Sequence, residues 1–66
     1  MKQIKCKQKS TGDMIIIKVR YDGDWQEYQV IVLVNGNLVD DYTSYESDRE
    51  SAVQTQHAQY EWFKTH

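Results

Sequence analysis

Apolar and polar residues alternate along the first two-thirds of this chain and then change to a helical spacing. Lys5, Lys7 and Lys9 alternate with Ile4 and Cys6, so residues 2–9 predict a strand with its lysines on one side. Lysines on one side of a terminal strand suit an edge position, where they discourage pairing with another chain. Ser10-Thr11-Gly12-Asp13 reads as a turn. Residues 14–21 are rich in β-branched side chains and predict a second strand. Asp22-Gly23 and Asn35-Gly36 are both pairs favoured in two-residue hairpins, because type I′ turns need positive φ at both central residues. Strands are therefore expected over residues 24–34 and 37–43.

Two such hairpins define a register. A loop at Asp22-Gly23 sets Tyr21 opposite Asp24, Val19 opposite Gln26, Ile17 opposite Tyr28 and Ile15 opposite Val30. A loop at Asn35-Gly36 sets Val32 opposite Val39 and Val30 opposite Asp41. Both registers collect Ile15, Ile17, Val19, Tyr21, Tyr28, Val30, Val32, Val34 and Val39 on one face. A one-residue slip would scatter that set, so the pattern itself specifies the faces.

The last third predicts a helix from a cap at Ser47 to about Lys64. Ser47-Asp48-Arg49-Glu50 fits a capping box, in which the Ser47 hydroxyl and the Glu50 carboxylate each satisfy an orphan N–H. Asp48 and Glu50 also suit the positive end of the helix dipole. Ala52, Val53, Gln56, Tyr60 and Phe63 share one side at helical spacing, with Trp62 nearly opposite. The expected fold is α+β: a four-stranded antiparallel meander with one C-terminal helix on its Ile15/Ile17/Val30/Val32 face (ββββα). It forms a single domain over residues 1–66.

The other sheet face is the expected contact surface. It carries Met14, Ile16, Trp25, Ile31, Leu33, Leu38 and Tyr42, a contiguous apolar group of the kind that marks an interface. The same register pairs Lys18 with Glu27, Arg20 with Trp25, Met14 with Ile31 and Leu33 with Leu38. Arg20, Trp25, Glu27, Ile31, Leu33 and Tyr42 are thus candidate partner-binding residues, and Trp62 on the outer helix side is a seventh.

Composition narrows the chemistry. A chain of 66 residues buries only about 60% of its unfolded surface, so a partner or a second copy is a plausible source of added stability. One cysteine excludes an internal disulfide and suits a reducing compartment. No Cys/His spacing resembles a zinc site, and Asp22-Gly23-Asp24 is too short for a calcium loop, which spreads its ligands over about twelve residues. Cys6 and His57 lack a third group to orient them as nucleophile and base, so neither catalysis nor a cofactor is expected. The charged N-terminal stretch has no apolar signal-peptide core and no run reaches membrane-spanning length, which points to the cytoplasm and away from a membrane.

Net charge is −2 but divides sharply. Residues 1–20 carry six basic groups and one acid, and residues 21–66 carry two basic groups and nine acids. The basic set Lys2, Lys5, Lys7, Lys9, Lys18 and Arg20 supports an alternative reading as a small nucleic-acid-binding domain. The overall acidity and the lack of a paired-aromatic platform oppose it. The acidic stretch over residues 40–48 combines four carboxylates with Tyr42 and Tyr45, and a basic groove is the partner it would fit. An obligate homodimer with a structural or regulatory role is a third reading.

Over about the first two-thirds of the chain, residues 1–41 align without a gap to small phage-encoded anti-CRISPR inhibitors. The likeness is to a type I-F inhibitor built on a four-stranded antiparallel sheet. The shared positions are Met1, Lys2, Ile4, Lys5, Ile17, Val19, Gly23, Val30, Val34, Asn35, Gly36 and Val39, and a Trp62-Phe63 pair recurs near the helix after an insertion. The resemblance implies a protein without cofactor or chemistry, acting in the host cytoplasm. It would bind a nucleoprotein surveillance complex along its backbone subunits and block target-DNA pairing. The inhibitor's aromatic and acidic contact residues fall where this chain has Cys6, Arg20 and Ile31, none of the same type, so the resemblance carries the architecture and not the contacts.

Overall fold

A computed structural model describes residues 3–66; Met1 and Lys2, and with them the start of the expected first strand, lie outside the described residues. The elements in chain order are β1 (Gln3–Lys7), β2 (Met14–Asp22), β3 (Glu27–Val34), β4 (Asn37–Leu38), a 3-10 turn (Asp40–Tyr42), β5 (Ser44–Glu46) and α1 (Arg49–Thr65). Strands β1, β2, β3 and β4 form an antiparallel meander, and β5 pairs with β3 on the same edge as β4. One helix packs on one face. The fold is the expected α+β arrangement with one additional short strand.

The two hairpins behave differently. At Asn35-Gly36 the φ angles are 53° and 88°, the positive pair a type I′ turn requires, and Leu33 meets Leu38 as expected. The β2–β3 connection is not the two-residue turn expected at Asp22-Gly23. Asp22 pairs with Glu27, leaving residues 23–26 as a four-residue loop with positive φ at Gln26. The Asp22 carboxylate accepts from the Asp24 N–H at 3.0 Å and shapes the loop's start.

The longer loop has a packing reason. A two-residue loop would carry Val32 and Val34 past the end of β2. In the observed register Tyr21 meets Tyr28, Val19 meets Val30, Ile17 meets Val32 and Ile15 meets Val34, so every apolar residue finds a cross-strand partner. The Tyr21 and Tyr28 rings lie 5.0 Å apart. Tyr21 therefore faces a residue four places beyond the expected Asp24. Four is even, so each side chain keeps its face although each pair changes.

The edge beyond β3 breaks where a single strand over residues 37–43 was expected. Continuing β4 would bring Asp41 opposite Val30, but Val30 meets Ser44, three residues further on. The surplus forms the 3-10 turn, closed by Tyr42 N–H to Val39 O at 3.2 Å and Thr43 N–H to Asp40 O at 3.0 Å. Asp40 and Asp41 are poor strand formers, which makes this the favoured place for the break. Three is odd, so the faces exchange beyond it.

The core is Ile15, Ile17, Val19, Val30, Val32, Ala52 and Phe63, with Cys6, Tyr28, Val34 and Tyr60 packed around it. It lies between α1 and the face the sequence designated. The helix begins one residue later than expected. Asp48, not Ser47, is the N-cap, accepting from Ser51 N–H at 2.7 Å, so the Ser47/Glu50 box does not form. Asp is as good a cap as Ser, and Glu46 pairs with Tyr28 in β5, which delays the helix start. At the other end, backbone N–H groups of Lys9 and Ser10 reach Phe63 O at 3.1 Å and His66 O at 3.0 Å, satisfying carbonyls that a helix terminus leaves open.

Candidate interaction face

The sheet face away from α1 has no second layer among the described residues. Register assembles it in rows. Lys5, Ile16, Leu33 and Leu38 run across β1 to β4; Gln3, Lys18 and Ile31 form the next row; Arg20, Gln29 and Tyr45 lie beyond, with Asp22 and Glu27 at the hairpin end. Lys7 pairs with Met14 at the opposite end. The result is an aliphatic centre with cations along its β1–β2 side.

Ile31 sits at the middle of this face and is only 9% exposed, although nothing in the described chain is layered over it. Its cross-strand partner is Lys18, whose stem is long enough to shelter apolar surface while the ammonium stays in water. Leu38 at 50% and Met14 at 46% remain open. At the hairpin end, Arg20 Nε donates to Gln29 Oε1 at 2.7 Å and Gln29 Nε2 donates to Asp22 Oδ2 at 3.3 Å. These groups border an open depression of about 300 Å³ completed by Tyr21, Gly23 and Asp24.

The seven candidates fall in three places. Arg20, Glu27, Ile31 and Leu33 occupy outer-face positions, as expected. Trp25 does not: the longer loop puts it at the hairpin tip, 77% exposed, and Gln29 takes its place opposite Arg20. Tyr42 does not either. The 3-10 turn swings it to the helix side, where its ring meets Phe63 edge-on at 5.1 Å. Trp62 lies beside the same cluster, edge-on to Phe63 at 5.0 Å and stacked on His66 at 4.9 Å, so it flanks the core and does not project opposite it.

Other expected pairs also change partner. Lys18 faces Ile31 and not Glu27, Glu27 faces Asp22, and Met14 is adjacent to Asn35 and not Ile31. The outer-face tyrosine is Tyr45, 60% exposed and paired with Gln29. The signal that could have found it is Asp40-Asp41, a pair that interrupts the strand and reverses the alternation after it.

The remaining chemistry is sparse. Among the described residues no group of three or more His, Cys, Asp or Glu side chains is placed to hold a metal ion, and no helix is long and apolar enough to cross a membrane. Cys6 points toward α1. Burial pushes its thiol above the ordinary value, and the positive charge of Lys64 pulls it partly back. His57 is exposed on the helix. Comparison with protein-family models, curated proteins and solved structures returned no match. Architecture and surface chemistry alone describe the class: a small α+β domain with one sheet face covered and one open.

Proposed function

We propose that this chain is a non-catalytic protein-binding inhibitor that docks through its outer sheet face. In concrete terms it is an anti-CRISPR protein that occupies a type I surveillance complex and blocks target-DNA binding. The observation that carries the docking reading is the aliphatic group of Met14, Ile16, Leu33 and Leu38 around the sheltered Ile31, on a sheet whose other face α1 already covers. Contiguous apolar surface on a small domain marks an interaction site more often than an accident of composition. The choice of target rests on the resemblance of residues 1–41 to type I-F inhibitors.

The test uses a purified type I-F surveillance complex and measures its binding of target DNA with and without the protein. Stoichiometric loss of DNA binding is expected, and Leu33→Glu should abolish it while circular dichroism stays native. DNA binding that is unaffected at saturating protein overturns the CRISPR reading.

The alignment of Lys5, Lys7, Lys18 and Arg20 on the same face favours a second reading, direct nucleic-acid binding. Such binding should weaken steeply between about 50 and 200 mM salt, because each phosphate contact releases counterions.

A further inference from the structure

We propose that the partner element received by the outer face is an amphipathic helix with an acidic flank. This rests on the docking reading above and names what docks. Its apolar stripe would cover Ile16, Ile31, Leu33 and Leu38, and its carboxylates would face Lys5, Lys18 and Arg20.

The dimensions favour a helix. The aliphatic row runs across three strands, Ile16 to Leu33 to Leu38. Strands spaced about 4.8 Å apart make that row roughly 10 Å wide, close to the diameter of one helix with its side chains. Along the strands the patch extends from Met14 to Ile16 on β2 and from Leu33 to Ile31 on β3. That is about 7 Å on each strand, and because Ile16 pairs with Leu33 the two stretches are staggered into a patch about 13 Å long, room for two turns of contact. The molecule uses the same solution on its other face, where α1 lays Ala52, Gln56 and Phe63 on the sheet. A second helix would complete a three-layer arrangement.

The charge layout selects the flank. Lys5 and Lys18 occupy the rows that carry Ile16 and Ile31, Arg20 the row beyond, and all three are exposed. The carboxylates paired across this face within β2 and β3 are Asp22 and Glu27, at the hairpin end and away from Lys5 and Lys18. A second copy docked face to face with its β1–β2 side over the same side would set lysines against lysines, which disfavours that symmetric dimer. Nucleic acid would call for stacking rings, and Tyr45 is the one aromatic residue in the described outer-face rows.

The test titrates the isotopically labelled full chain with synthetic peptides and follows backbone amide shifts. The probes are an amphipathic Leu/Ala/Glu helix of about 15 residues, roughly four turns, its Glu-to-Lys counterpart, a scrambled acidic peptide and an oligothymidine. The acidic helix should shift the amides of Ile16, Ile31 and Leu33. It should bind about tenfold more tightly than the lysine version, since three exposed ion pairs are exchanged for three like-charge contacts. The double variant Lys5→Glu/Lys18→Glu, which alters exposed groups only, should reverse the preference between the two helices.

Equal binding of the acidic and lysine helices overturns the charge assignment while leaving the docking face in place. Equal or tighter binding of the scrambled peptide or the oligothymidine overturns the helix assignment in favour of a general polyanion. If no peptide shifts these amides, yet Leu33→Glu still destroys inhibition, the helix inference fails alone. Concentration-dependent self-association that Lys5→Glu/Lys18→Glu strengthens would identify a second copy as the occupant and overturn it as well.

Discussion

Gln56 reaches across the buried helix–sheet boundary and donates from Nε2 to the backbone oxygen of Ile17 at 2.8 Å. It is the one buried polar residue in the described core, 3% exposed, at the centre of the helix stripe. The contact ties α1 to the central strand β2 in one rotation and one height, which apolar packing alone leaves looser. Gln56→Ala removes the bond and leaves a cavity, so a loss of about 2–4 kcal/mol is expected in chemical unfolding. Gln56→Leu restores volume and should cost less, while broadening amide resonances along β2. Equal stability of Gln56→Ala and the parent would show that the bond contributes nothing net.

Gly36 supplies a second expectation. Its φ is 88°, and a Cβ added there meets no atom within 4 Å. The cost of Gly36→Ala is therefore backbone strain alone, about 1–2 kcal/mol for a left-handed L-residue. D-alanine, introduced by chemical synthesis, prefers that φ and should match or exceed the parent's stability. Thermal unfolding of the three chains in parallel decides it.

Cys6 makes stability depend on alkaline pH. Burial raises its folded pKa above the unfolded value of 9.0, so the folded state holds the proton more firmly than the unfolded chain. Its contribution is full below that value and declines as pH rises through the folded pKa. Urea midpoints should therefore fall above pH 9.0 by more than in a Cys6→Ala control. Because Lys64 pulls the thiol down, Lys64→Gln should shift the alkylation midpoint of Cys6 further upward.

Two aromatic residues separate fold from surface. Phe63 is 2% exposed and the largest fully buried side chain, so Phe63→Ala should cost about 3–5 kcal/mol and leave the domain largely unfolded. Trp25 stands 77% exposed at a loop tip, and Trp25→Ala should move stability by less than about 0.5 kcal/mol. A large loss for Trp25→Ala in denaturant titration would mean that the loop packs more tightly than its exposure implies.

The faces of the sheet were legible in the sequence, and the pairs only partly. Ile15, Ile17, Val19, Val30 and Val32 alternate strongly enough that a hairpin slip of four residues moved none of them to the other side. The turn dipeptide was the weaker guide: Asp22-Gly23 resembles a tight turn, but the longer loop pairs Tyr21 with Tyr28 and Ile15 with Val34, apolar partners that the shorter loop would not bring together. The outer face suffered where the slip was odd. A three-residue surplus at Asp40–Tyr42 put Tyr45 where Tyr42 was expected, and local propensity has no means of counting it. Leu33, Ile31 and Arg20 kept their positions because they lie before that break.

The bond from Lys9 N–H to Phe63 O closes a loop over most of the described chain. Contacts this distant in sequence raise the mean separation of interacting residues, and a mixed sheet-and-helix topology of this kind folds more slowly than a helical bundle. During synthesis the sheet strands emerge first and α1 follows. Until Phe63 arrives, Ile15, Ile17, Val30 and Val32 are uncovered on one side while Ile16, Leu33 and Leu38 are uncovered on the other. The nascent meander is apolar on both surfaces, and docking of the helix closes one of them to neighbouring chains while the other stays open.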